Sequence, residues 1–174
     1  MIGKDKIEIS TYKIMLKLIA FYKKWTIKND IKILKYNIKH HGGSVGSKFS
    51  MGYNVNVSGY KSISMGNNVY IGSGSFIRAD GGLTIGNNVI FSRYIVLYTL
   101  NHNYEGNSLP YDDTFIKKPV IIEDNVWIGM NVTIAPGSLI GQGSIIGIGA
   151  RVYGVVPPFA IIGSNGEVLK YRNI

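Results

Sequence analysis

From Met51 onward, aliphatic side chains return at every sixth residue. Met51, Val57 and Ile63 begin the series, and Met65, Ile71, Ile77 and Leu83 follow it. Ile85, Phe91 and Leu97 come next; after an interruption, Ile122, Ile128, Ile134, Ile140, Ile146 and Val152 resume. A small residue often comes directly after, as in "MGNNVY", "IGSGSF", "IGNNVI" and "IGQGSI". A helix turns once in ~3.6 residues, so a step of six leaves the starting face. Interior glycines would also cost such a helix about 1 kcal/mol each. A strand alternates with period two, which divides six, and β-branched residues suit it. The spacing therefore predicts a short strand and a tight corner in every hexad. Three hexads close a triangular coil, and stacked coils gather the aliphatics into one continuous core. The small residues are assigned to the corners, where glycine also permits positive φ. Two-residue slips of the series at Ser64 and Thr84 predict bulges or wider corners.

The interruption begins in "YTLNHNYEG", Tyr98 to Gly106. Between Asn101 and Lys118 there is no hexad, and Asn101, Asn103, Gly106, Asn107, Ser108, Pro110, Asp112 and Asp113 are turn formers. The coil is expected to eject this segment as a loop, and unstructured loops of that length usually carry function. His102 stands at the exit point with polar neighbours, an unsuitable place for a packing histidine. Its imidazole can accept and return a proton near neutral pH. Arg78 and Asp80, in "IRADGG", precede the loop; Tyr104, Glu105, Tyr111, Asp112 and Asp113 lie in it. These residues are candidates to face an acceptor, and one carboxylate can orient the second nitrogen of His102. His40 and His41 are adjacent, precede "GGS" and read as linker, so they make no spaced three-histidine zinc set with His102.

Upstream of the repeat, "TYKIMLKLIAFYKKWTIK" reads as a helix. Ile14, Leu18, Phe21 and Trp25 fall at i, i+4, i+7 and i+11, Lys13, Lys17, Lys24 and Lys28 line another side, and Ser10 or Thr11 can cap its start. The apolar stripe is expected to cover the open end of the first coil. The alternative lays this basic, Trp-bearing helix on a membrane surface. Residues 1–43 are thus set apart as a basic helical arm, 44–163 as the coil domain with its loop at 101–118, and 164–174 as a tail.

The chain has 174 residues and a formal net charge of +9. Ten lysines against Asp5, Glu8 and Asp30 put +7 of this in the first 41 residues, so the basicity belongs to the arm. Hydrophobic residues make up 45% and charged residues 17%, which supports a packed core and excludes disorder as the main character. There is no cysteine, which removes disulfides, thiolate metal ligands and thiol nucleophiles. The run "IMLKLIAFY" is too short to span a bilayer and is cut by Lys17. A cytoplasmic protein is the expectation, and no aromatic-and-basic platform suggests nucleic acid.

Several stretches together resemble a known family. They are "NH" at Asn101–His102, "PVIIEDNVWIG" at Pro119–Gly129, "NVTIAPGSLIG" at Asn131–Gly141, "GIGARV" at Gly147–Val152, "VVPP" at Val155–Pro158 and "VLKYR" at Val168–Arg172. From about Gly46 to Ile174 the chain is similar to the hexapeptide-repeat acyltransferases. The branch it looks closest to is the maltose/galactoside acetyltransferase-like one, with O-acetyltransferases of bacterial polysaccharide synthesis. The resemblance implies an all-β fold, a left-handed parallel β-helix with a helical N-terminal arm and an ejected active-site loop. It implies a homotrimer, acetyl-CoA as acyl donor without a metal, and a small-molecule or lipid-linked saccharide as acceptor. His102 would then be the general base, with Asn101, Arg78, Asp80 and Tyr104 toward the acceptor. Trp127, Gly129, Met130, Gly147, Ile148, Tyr153 and Lys170 would line the donor. Relatives carry a Thr-Lys-Asp run where this chain has Tyr153, Gly154 and Val155, and a "GNPAK" type motif where it has "GSNGE". Phosphate recognition is therefore left to Lys170, preferred over Arg172 and Arg151. The alternatives are N-acetylation of a nucleotide-linked amino sugar and a non-catalytic β-helical scaffold. Peripheral membrane contact through the arm, at the inner face of the membrane, stays open.

Overall fold

The computed structural model describes residues 2–173, with side chains described from Tyr12 onward. Helix α1, Ile2–His40, leads into a prism of three parallel sheets. The first face stacks Ser44–Val45, Ile63–Met65, Leu83–Ile85, Val120–Ile122, Leu139–Ile140 and Val155–Val156. The second stacks Ser50–Met51, Tyr70–Ile71, Ile90–Phe91, Trp127–Ile128, Ile145–Ile146 and Ala160–Ile162. The third stacks Asn56–Ser58, Phe76–Arg78, Val96–Tyr98, Thr133–Ile134 and Arg151–Val152. The chain visits the faces in that order, coil after coil.

The six-residue aliphatics point inward and sit directly above one another. Met51, Ile71, Phe91, Ile128, Ile146 and Ile162 form one column, and Val57, Ile77, Leu97, Ile134 and Val152 another. All are buried, most of them completely. Burying side chains of this size is worth about 1.5–3 kcal/mol each, so every added coil extends the same core.

The corners differ from the sequence reading in one respect. The left-handed backbone lies three residues after the core aliphatic, not one: Asn68 has φ 57°, Asn88 56° and Asn125 61°, with glycine at positions 137, 143 and 149. The glycine immediately after the aliphatic serves another purpose. Gly66 does not need positive φ, but a Cβ there would lie 2.7 Å from both the carbonyl carbon and oxygen of Gly86 in the coil beside it. That position is small because coils stack, not because the chain turns. Polar side chains also tie corner to corner: Asn67 Oδ1 accepts from Ser47 N–H and Asn87 Oδ1 from Asn67 N–H, each at 2.8 Å. Asp124 Oδ1 continues the ladder, accepting from Asn87 N–H at 2.6 Å.

The slips of the repeat prove to be wide corners. Strands Ile63–Met65 and Leu83–Ile85 pair regularly through Ser64 and Thr84. The extra residues sit just before them, in a 3-10 turn at Tyr60–Ser62 and in a turn closed by Gly82 N–H donating to Ala79 O at 2.9 Å. Both corners join the third face to the first. The ejected segment leaves from that same corner one coil later. It is not structureless: Leu100–His102 and Phe115–Lys117 pair antiparallel as a hairpin.

The arm departs further from expectation. Ser10 and Thr11 lie within α1 rather than at its start. Ile14, Leu18, Phe21 and Trp25 are exposed, and Leu34 and Ile38 are buried against the first coil with Ile31 beside them. The capping function therefore belongs to the last turns of the helix. At the other end, Val168–Tyr171 adds an antiparallel strand to Ala160–Ile162, so the tail extends the second sheet.

Candidate active site

Antiparallel pairing places His102 directly opposite Phe115 on the hairpin. The imidazole is half-buried against two rings: Tyr111 stacks on it with centroids 3.8 Å apart, and Phe115 lies at 4.7 Å. Its Nδ1 is enclosed and has no hydrogen-bond partner. A buried polar atom left so costs about 1–3 kcal/mol unless another group reaches it. The carboxylates of the loop do not supply that group. Asp112 turns into its own loop, accepting from Thr114 N–H at 2.9 Å, from the Thr114 hydroxyl and from Asn107 N–H at 3.3 Å. These bonds, the Thr114 hydroxyl foremost, hold its carboxyl below the ordinary value of 3.8.

Arg78 and Asp80 reach this corner from the coil before. Arg78 Nε donates to Asp80 Oδ2 at 3.4 Å, and the guanidinium stands 5.6 Å from the centre of the Phe115 ring. Asn101 alternates to the other side of the hairpin strand. There it lines a cleft of about 270 Å³ with Tyr104, Ile116, Lys118, Ala135, Pro136 and Tyr153. The corner between the third and first faces thus gathers His102, Asn101, Tyr104, Arg78, Asp80 and Tyr153.

The remaining predicted donor residues lie elsewhere. Trp127 projects from the second face, half exposed, with its Nε1–H donating to Ser92 Oγ at 3.2 Å. Gly129, Met130, Gly147 and Ile148 turn the corner from the second face to the third, where Met130 O accepts from Gly149 N–H at 2.8 Å. The second face is the side of a triangle opposite the hairpin corner. One chain therefore does not bring this group to His102. Lys170 pairs with Ile161, which pairs with Ile145, which pairs with Trp127, so all four occupy one outward column. Arg172 is committed to Gly143 O at 2.7 Å. Arg151 lines a cleft of about 440 Å³ with Gly149, Tyr153, Ser164 and Asn165. His40 and His41 end the helix, His41 Nδ1 lying 2.7 Å from Asn37 O, far along the chain from His102. Among the described residues no cluster of three metal-ligating side chains occurs.

Phe115 and Lys118 went unnoticed in the sequence, and Tyr111 was only one loop residue among several. Their importance depends on the hairpin register, which no hexad announces. The alternation of Phe115, Ile116 and Lys117 was the available signal.

Residues 119–154 match the bacterial transferase hexapeptide (six repeats) family. Among curated proteins none matches the sequence. Among solved structures, a maltose O-acetyltransferase from Clostridium difficile 630 is similar at a TM-score of 0.68 and 22% identity, over 90% of this chain and 89% of that one. A galactoside acetyltransferase in complex with coenzyme A is 27% identical with a TM-score of 0.65, over 82% of this chain and 78% of that one. A point mutant of AntD, an N-acyltransferase from Bacillus cereus in complex with dTDP and coenzyme A, gives 0.58 and 22%, over 76% and 84%. The chain is a left-handed parallel β-helix of hexapeptide repeats.

Proposed function

We propose that this chain, an acyl-CoA-dependent acetyltransferase of the hexapeptide-repeat type, acetylates a hydroxyl of a sugar or saccharide with His102 as general base. The observation that carries the reading is the imidazole packed against Tyr111 and Phe115 with Nδ1 enclosed and unpaired. A base working through Nε2 carries its proton on Nδ1, the nitrogen that is enclosed here.

In this reading neutral His102 removes the proton of the acceptor hydroxyl. The freed oxygen attacks the thioester carbonyl, and the imidazolium returns the proton to the departing sulfur. Arg78, Asp80, Asn101 and Tyr104 hold the acceptor at the hairpin corner. A backbone N–H at Gly129 or Met130 can steady the oxyanion, a contribution of about 3 kcal/mol. The Trp127–Ile145–Ile161 column suits an apolar pantetheine arm, with Gly147 and Ile148 at its edge. Lys170 ends that column about 14 Å from Trp127, at three strand spacings, as a cation for a phosphate. Arg151, with Tyr153 beside it, is the second cation available to the donor.

Since one chain separates the two groups of residues, the reading requires the hairpin corner of one copy to meet the second face of another. Repeating that contact around a threefold axis gives a homotrimer. The exposure of Tyr70, Ile90 and Trp127 along the second face supports it. A cytoplasmic place and a role in surface polysaccharide synthesis belong to the same reading. No described helix is long and apolar enough to cross a membrane.

The test is thiol release from acetyl-CoA with a panel of sugars, saccharides and nucleotide-linked amino sugars. His102→Ala should lower turnover at least ~100-fold and leave the melting temperature nearly unchanged. Equal turnover in the mutant removes the mechanism. Acetylation of amines alone would favour the N-acetyl reading, and absence of turnover with any acceptor the scaffold.

A further inference from the structure

The segment of α1 from Tyr12 to Trp25 touches nothing in the prism. Tyr12, Ile14, Met15, Leu16, Leu18, Ile19, Phe21, Tyr22 and Trp25 are all exposed, most of them by about half or more. The helix explains why its two halves behave differently. At ~100° per residue, Ile27, Ile31, Leu34 and Ile38 share one side, and Leu34 and Ile38 are buried against the first coil. Ile14, Leu18, Phe21, Trp25 and Tyr22 lie on roughly the opposite side. The apolar face of the projecting half is therefore turned away from the chain's own core.

We infer that this face lies on an anionic lipid surface. Three observations point there. Charge is the first: Lys13, Lys17, Lys23, Lys24 and Lys28 are exposed, and no acidic residue stands between Glu8 and Asp30. Width is the second. From Phe21 round to Tyr12 the apolar arc covers about half the helix circumference at ~100° per residue, wider than the seam two or three helices bury in a coiled coil. Chemistry is the third: Trp25, Tyr12, Tyr22 and Phe21 are ring side chains of the kind that settle at a headgroup boundary, and Lys28 and Lys23 border the arc from which they can extend to phosphates. A nucleic acid partner would match the lysines and could stack on the rings, but would leave the exposed aliphatics Ile14, Leu18 and Ile19 without a place. The contact is peripheral, since the helix is not apolar enough to cross a bilayer. It holds whatever the acceptor of the prism is.

The full chain would be floated with vesicles of equal parts phosphatidylglycerol and phosphatidylcholine, and with phosphatidylcholine alone. Binding is expected to the first, to weaken with salt, and to be weak to the second. Lys17→Gln and Lys24→Gln should each reduce binding roughly fivefold. Phe21→Ser with Trp25→Ser should abolish it, with circular dichroism melting unchanged because neither ring touches the prism. Failure of the wild-type chain to float with anionic vesicles overturns the inference. So does flotation that survives the double serine variant. A fall in oligomer mass of that variant by ultracentrifugation would assign the face to a second copy and overturn it too.

Discussion

The rings of His102 and Tyr111 lie stacked, centroids 3.8 Å apart and planes 22° from parallel. Phe115 packs against the same imidazole at 4.7 Å, and its own ring carries the Arg78 guanidinium at 5.6 Å. A side chain so confined has few rotamers to lose when a substrate arrives, which is how a positioned base gains over a mobile one.

Tyr111→Ala should therefore slow acetyl transfer by about five- to tenfold, the worth of a lost ring contact. The loss should appear in kcat more than in KM. Tyr111→Phe keeps the ring and should stay close to the wild type. Steady-state kinetics on the two variants checks this.

Two glycines should respond to alanine for different reasons. At Gly66 the new methyl meets Gly86 backbone atoms at 2.7 Å, which cannot yield, and a loss of about 3 kcal/mol or more is expected. At Gly154 nothing lies within 4 Å, and only the left-handed φ of 67° is strained, for about 1–2 kcal/mol. Urea denaturation of both variants would separate stacking from turning.

Helix docking gives a second contrast. Ile38 is fully buried against the first coil, so Ile38→Ala should cost about 2–5 kcal/mol of local stability. Leu18→Ala, at an exposed position, should stay within about 0.5 kcal/mol. Hydrogen exchange over α1 and the first coil reads both.

The hairpin tip should depend on pH through Asp112. Its carboxyl is more acidic folded than unfolded, so the bonds to Thr114 and Asn107 are complete above the ordinary value of 3.8. They are lost as pH falls through the lowered value. Protection of the Asn107 and Thr114 amides should drop in that range, and Asp112→Asn should show the same loss at neutral pH.

The hexad made the prism readable because its cause is local. Each inward residue repeats at a fixed spacing, so Ile71, Phe91 and Ile128 announce a column before any coordinates exist. The interruption after Leu97 likewise marked the site, and His102 stood at its edge. Other features follow from chain segments meeting, which periodicity does not encode. The glycine that often follows the core residue looked like a turn residue, and at Gly66 it is small because Gly86 passes close. The stripe at Ile14, Leu18, Phe21 and Trp25 looked like a cap, but the phase of the docked turn at Leu34 and Ile38 faces it away. Phe115 became a neighbour of His102 only through hairpin register. The sequence by itself determined the coil, its core and the place where it opens. Tertiary structure decided what surrounds the imidazole and which residues share its corner, because those depend on contacts between segments with no common period.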